Sequence, residues 1–329
     1  MSDIPTIAVA GCGNIGSRHL QGLARMTQAA HVHGYDPSAE SRALAAARVA
    51  EMQPGPHLSF TFHDTLAALP EKIGLAIVAT GAKPRRALIE ALVAEKQVSA
   101  LLLEKFLFQS HDDHAAVEAL LASRGIAAFV NTPRRSWASY QALKSDLAGA
   151  GPLTIAVEFG RANGLATNAI HFIDLAAFLT GEAGGFDLDG RRLTPLRDAS
   201  RHAGAVEFSG MMTGASQRGD FLAIRGRPES TSPHTVTIIA EDRRLLVVEA
   251  SQQLLTSRAS APLAVEASPF PILYQSALTG GIATDILAGR APALPSLAES
   301  ARLHRQCLSA FLEALGEPRD APGRVVPVT

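Results

Sequence analysis

Three glycines spaced G-x-G-x-x-G, directly behind the first apolar run, restrict what this chain can fold into more than any other feature. The stretch Ile7 to His19 reads IAVAGCGNIGSRH, with Gly11, Gly13 and Gly16 closing a strand and opening a helical pattern. In a strand-turn-helix the first glycine permits a tight turn and the second lets backbone approach a pyrophosphate. The third allows close packing of helix on strand. The helix start, at Asn14 and Ile15, offers free N–H groups and a favourable dipole to negative charge. An acid, Asp36, lies 20 residues beyond Gly16 at the end of a second strand-like run. That combination is a dinucleotide-binding pattern, with the carboxylate placed for a ribose 2′-hydroxyl. A carboxylate there repels a 2′-phosphate, so NAD(H) is favoured over NADP(H), although Arg42 is near enough to swing toward a phosphate. Asp36, followed by Pro37 and Ser38, also suits a helix cap.

Strand-like runs (TIAVA, HVHGYD, LSFTF, GLAIVAT, ALLLE, IAAFV) alternate with helical patterns over the first 130 residues. One of those helices is predicted to be capped by Ser110 and stopped at Gly125. Such alternation predicts an α/β fold, a doubly wound parallel sheet of Rossmann type over residues 1–130. After Asn131 the rhythm changes to two helices around the strand LTIAVEFG, then runs of strands (AVEFSG, HTVTIIAED, RLLVVEASQQLL) and a long final helix. Residues 131–329 therefore read as an α+β domain with a mainly antiparallel sheet. Two domains suit 329 residues of which 47% are hydrophobic,. With 30 basic against 31 acidic residues and no basic run, nucleic acid and membrane are poor partners,. The early strand leaves no room for a signal peptide, which points to the cytoplasm. Cys12 and Cys307 have no metal-ligand spacing, so no metal or disulfide is expected.

Chemistry in such a fold belongs at the carboxyl ends of the strands. The fourth strand ends at Thr80 and Gly81, and the fifth delivers Glu104 and Lys105 to the same edge. A lysine there can exchange a proton with a substrate oxygen during hydride transfer. On spacing alone, a solvated lysine ending a strand is the simpler reading. In the second domain Thr167, His171, Asp174 and Phe178 share one helical face. Asp174 can orient His171, or the pair can simply stabilise the helix.

GCGNIGSRH, the EK at the end of the fifth strand and HFIDLAAFLTG, in that order, resemble the glucose-fructose oxidoreductase / inositol dehydrogenase (Gfo/Idh/MocA) family over nearly the whole chain. The resemblance implies that Lys105 and His171 act at the substrate carbon, that Glu104 supports the cofactor side and that Asp174 orients the histidine. Two positions depart from the family pattern. Phe106 stands in place of the proline after the lysine, and Thr167, next to Asn168, in place of an aspartate four residues before the histidine. Lys105 and His171 would then divide the proton transfer, with Thr167 or Asn168 only hydrogen-bonding a hydroxyl.

Arg134, Arg135, Arg161, Asn163 and Tyr274 are candidates to line a polar substrate pocket, each with ordinary surface or capping duty as its bland alternative. With the closing RVVPVT they resemble the branch of the family found in surface-polysaccharide sugar biosynthesis. The arginines would suit an acidic or phosphorylated sugar. Two rivals stand beside a sugar dehydrogenase: an imine- or tetrapyrrole-type reductase, and a non-catalytic dinucleotide-binding sensor. An apolar sheet face uncovered by helices predicts a homodimer or homotetramer.

Overall fold

The computed structural model describes residues 4–160, 164–197 and 204–329, so Arg161 and Asn163 lie outside the described residues. Six apolar segments form the first sheet: β1 (Thr6–Ala10), β2 (Ala30–Tyr35), β3 (Leu58–His63), β4 (Leu75–Val78), β5 (Ala100–Leu103) and β6 (Ala127–Val130). They pair in parallel in the order β3-β2-β1-β4-β5-β6. Every residue of β4 and β5 is buried, as expected for strands covered on both faces. The order reverses direction beside β1, which opens a crevice at the carboxyl ends of β1 and β4. Helices α1 (Asn14–Leu23), α2 (Ala39–Ala50) and α3 (Ala82–Glu95) follow the strands. Ser38 caps α2, its hydroxyl accepting the Ser41 N–H at 3.2 Å. Ser110 caps α4 (His111–Ser123) through the Asp113 N–H at 3.1 Å, and the chain leaves that helix at Gly125 with φ +64°.

By its contacts the chain divides into two compact units, and neither is one continuous stretch of chain. The first comprises Met1–Phe108, Ala115–Pro133 and Leu273–Leu297; the second comprises Gln109–His114, Arg134–Ile272 and Ala298–Thr329. A linear division at residue 130 does not anticipate the return of Leu273–Leu297. That segment carries α7 (Gln275–Leu287), which packs on α1 within the first unit.

The second unit holds α5 (Ala138–Asp146), α6 (Leu165–Thr180), α8 (Leu297–Ala314, all but its first residue) and a nine-stranded sheet. Its strands are β7 (Thr154–Phe159), β8 (Asp187–Asp189), β9 (Leu193–Arg197), β10 (Val206–Ala215), β11 (Phe221–Gly226), β12 (Thr235–Ile239), β13 (Arg243–Val248), β14 (Gln253–Arg258) and β15 (Ala261–Pro269). Their order is β8-β10-β11-β7-β12-β13-β14-β15, with β9 also paired to β10. All pairs are antiparallel except β7 with β11. The single run RLLVVEASQQLL is in fact two strands, because a short 3-10 turn at Glu249–Ser251 and Gln252 at φ +54° fold β13 back on β14. Burial alternates along β7, β11, β12 and β13, so one face of the sheet is apolar and meets α6,.

Candidate nucleotide-binding and catalytic site

At the carboxyl end of β1 the three glycines act in three different ways. Gly11 has φ +96° and donates its N–H to the Tyr35 carbonyl at 2.8 Å, binding the turn to the end of β2. At Gly16 a Cβ would lie 1.7 Å from the Gly11 carbonyl oxygen, so α1 can approach β1 only because no side chain is there. A Cβ at Gly13 would meet nothing within 4 Å. That open space, at the start of α1, is the cradle a pyrophosphate needs. Asn14 and the 47%-exposed Ile15 begin the helix beside it.

Asp36 sits at the tip of β2 with its two carboxylate oxygens divided between neighbouring backbone donors. Oδ2 accepts the Cys12 N–H at 2.8 Å and Oδ1 the Ser38 N–H at 2.9 Å. The acid therefore ties the glycine turn to the cap of α2. Arg42 donates from Nη1 to the Asp36 and Pro37 carbonyls at 2.7 and 3.0 Å, which fixes a positive group beside the carboxylate. Cys12 is buried in the same corner, where burial, and then Asp36, push its thiol up to about 12. Both cysteines are free.

Across the crevice, Thr80 lies two residues beyond β4, and its buried hydroxyl finds no hydrogen-bond partner among the described residues. Gly81 is the N-cap of α3. An orphaned hydroxyl, an open space beside Gly13 and an acid at the end of β2 fit a dinucleotide, with Gly11, Gly13, Asn14, Ile15, Asp36, Thr80 and Gly81 as the residues that would hold it,.

Glu104 and Lys105 follow β5. Glu104 is only 6% exposed and accepts hydrogen bonds from His19 Nε2, at 3.0 Å, and from the Asn131 amide. Asn131 also donates to Gln275 Oε1 at 2.7 Å, Gln275 donates to Thr279 Oγ1 at 2.9 Å, and Thr279 meets His19 Nδ1 at 3.0 Å. The five side chains close a ring. Burial pushes the Glu104 carboxyl up, but His19, Asn131 and the Lys105 charge more than offset it, leaving the group below its ordinary range. Glu104 thus anchors the strand end that presents Lys105.

A second anchor is Arg85 of α3, which is 1% exposed. Its guanidinium donates to the carbonyls of Thr80, Phe106 and Leu107, and so joins the loop after β4 to the loop that carries Lys105. Burial lowers it to about 10. Sequence reasoning missed Arg85, yet a signal was there: Ala82, Arg85, Ile89 and Leu92 recur at helical spacing, and all are buried,. The Lys105–Phe106 peptide is cis.

In the second unit α6 carries Thr167, Asn168, half-buried His171 and fully buried Asp174. Asn168 donates its amide to the Gly164 carbonyl at 3.0 Å and secures the first turn. Asp174 is gripped on both oxygens by Arg135, at 2.9 Å from Nε and 2.6 Å from Nη2, and Arg135 also donates to Glu299 at 2.9 Å. Arg134 holds Glu249 by two bonds of 2.8 Å and lies over the Phe172 ring at 4.0 Å. Glu249 further accepts from Tyr140 at 2.8 Å and pairs with His234 at 2.9 Å. Burial opposes its charge, but Arg134 and His234 win and hold the carboxyl at about 2. Arg134 and Arg135 were expected at a substrate pocket; the structure commits both guanidiniums to internal carboxylates. Tyr274 is 71% exposed at the N-cap of α7.

Residues 6–132 match the family model described as the oxidoreductase family with an NAD-binding Rossmann fold. Over that stretch, less than half of its length, the chain is similar to the Gfo/Idh/MocA family. The family's nucleotide is NAD, and the glycine turn suits its pyrophosphate,. No curated protein matches the chain in sequence. Among solved structures, the UDP-N-acetylglucosamine 3-dehydrogenase GnnA of Acidithiobacillus ferrooxidans is 17% identical, covering 96% of this chain and 98% of its own at a TM-score of 0.71. An oxidoreductase of Agrobacterium radiobacter, in complex with NAD+, L-tartaric acid and magnesium, is 17% identical over 99% of this chain and 98% of its own, at a TM-score of 0.71. A super-repressor mutant of Gal80p from Saccharomyces cerevisiae is 13% identical over 97% and 98%, at a TM-score of 0.71. At these identities the likeness is one of fold. Among the described residues no helix is long and apolar enough to cross a membrane, and no cluster suited to a metal is found.

Proposed function

We propose that the protein is an NAD-dependent dehydrogenase acting at a hydroxyl or keto carbon of a sugar derivative, with a nucleotide-linked sugar as the favoured class. The observation that carries this reading is the presentation of Lys105. Its strand end is fixed from one side by the buried Glu104 ring and from the other by Arg85, a degree of restraint a merely solvated lysine does not need. The bound nucleotide supplies the hydride acceptor or donor. Lys105 and His171 would move the proton of the substrate oxygen, one taking it as the carbonyl forms and returning it in the reverse direction. The sugar assignment draws on the fold shared with UDP-N-acetylglucosamine 3-dehydrogenase. A cytoplasmic homo-oligomer completes the reading. Its contact would be the second sheet, whose edge strand β15 ends in six exposed residues, Ala264 to Pro269, with Val265 66% exposed.

A screen of free and nucleotide-linked sugars and sugar acids, followed at the nicotinamide absorbance, tests the reading. Lys105→Met and His171→Ala should each lower turnover of the accepted sugar by about 10²-fold or more while leaving NAD binding intact. If the protein binds NAD and turns over nothing in such a screen, the competing reading of a non-catalytic sensor, favoured by the Gal80p likeness and by Thr167, takes its place.

A further inference from the structure

Glu207 leaves β10 and reaches the first turn of α6. Its Oε2 accepts the Ala166 N–H at 2.8 Å, and its Oε1 accepts both the Thr167 N–H, at 3.3 Å, and the Thr167 hydroxyl. The carboxylate occupies the space of a missing side chain, since a Cβ on Gly164 would fall 2.1 Å from Oε1. Glu207 is 6% exposed. The first turn of α6 has no acidic residue of its own, so the negative charge at this helix start comes from β10,.

Two backbone N–H groups on a carboxylate make an ordinary cap. The hydroxyl bond goes further. A threonine hydroxyl has one proton, and here Glu207 takes it, so what Thr167 has left to offer a ligand is acceptor capacity. A hydroxyl that donates to a carboxylate is polarised and accepts more strongly. Thr167 precedes His171 by four residues, one helical turn, on the same face.

We propose that Glu207 is a positioning residue acting through Thr167: by holding the hydroxyl proton it turns Thr167 into an acceptor for a substrate hydroxyl beside His171. This rests on the reading that His171 works at the substrate. It also gives the departure at position 167 a physical account, since the acid absent from α6 is supplied by a neighbouring strand.

The test is a cycle of variants read by steady-state kinetics, calorimetry with NAD and thermal unfolding. Glu207→Gln and Thr167→Val should each lower kcat about tenfold, the scale of one hydrogen bond, with NAD affinity unchanged. The double variant should be no worse than the poorer single, because the two side chains act as one unit. Thr167→Asp should lower both activity and Tm, the latter by about 2–4 °C or more, because it sets a second carboxylate against Glu207. Combined with Glu207→Gln it should recover both, because one carboxylate then remains.

Equal damage from Thr167→Asp in the two backgrounds overturns the pairing. Unchanged kcat in Glu207→Gln, with the parent active, overturns the proposal while leaving the dehydrogenase reading intact. If the parent turns over no sugar, that reading fails and the substrate role of Thr167 fails with it. The thermal arm would then still report the pairing by itself.

Discussion

The turn after β1 and the first turn of α6 both sit where a helix begins and a ligand is expected, but they are built in opposite ways. At the β1 turn the deciding feature is the absence of side chains. Gly16 makes room for backbone, and Gly13 leaves a space open. At α6 the deciding feature is a side chain imported from 40 residues away, which fills the space Gly164 leaves. A glycine spacing is visible in sequence because local backbone geometry dictates it. A long-range carboxylate is not, because any of many acids could have been the partner.

The sharpest way to break this comparison is at the glycines themselves. Gly16→Ala should cost the most of any change considered, because its Cβ would meet the Gly11 carbonyl at 1.7 Å and neither backbone segment can yield. Loss of several kcal/mol, or failure to fold, is expected in thermal unfolding, beyond the about 1–3 kcal/mol usual for overpacking. Gly13→Val meets no protein atom where its Cβ begins, so it should leave Tm nearly unchanged while abolishing NAD binding in calorimetry,. Equal losses of stability in the two variants would mean that the open space at Gly13 is structural rather than kept for a ligand.

The same contrast explains what was legible beforehand. The parallel sheet, its cofactor turn and the cap at Ser110 follow from periodicity and from residues adjacent in the chain, and the structure contains them. Arg134 and Arg135 could be read either as substrate contacts or as structural residues, because an arginine in a loop looks the same in sequence until its partners are known. Those partners, Glu249 and Asp174, lie 115 and 39 residues further on. The Glu104 ring was hidden for the same reason, since His19, Asn131 and Thr279 come from three distant segments of the first unit.

Arg135 offers the next largest effect and tests whether the second unit depends on paired charge as the first depends on absent side chains. Asp174 is fully buried, and Arg135→Met would take away the guanidinium that grips both of its oxygens. A loss of about 3–5 kcal/mol in denaturant unfolding is expected. Removing both partners, in Arg135→Met with Asp174→Leu, should cost less than the single change, because no buried charge is then stranded. If the single variant is as stable as the parent, the pair is not part of the scaffold, and Arg135 returns as a candidate for substrate.

The smallest effect expected is at Asp36, where the two kinds of construction meet, since one side chain there shapes the glycine turn and is proposed to face the ligand. Asp36→Ala removes the acceptors of the Cys12 and Ser38 N–H groups, so the turn should loosen and NAD binding weaken about tenfold, the scale of one charge-assisted hydrogen bond,. The carboxylate is also what repels a 2′-phosphate, and Arg42 is already held beside it by two carbonyls. NADP(H) should therefore lose less than NAD(H), and the ratio of the two dissociation constants should narrow. Adding Arg42→Ala should widen the ratio again by weakening NADP(H) selectively, because a guanidinium held at that corner is the nearest group able to pair with the phosphate. A ratio unmoved by Asp36→Ala would show that Asp36 serves only the backbone of the turn, and the preference for NAD would then have to arise elsewhere along the crevice.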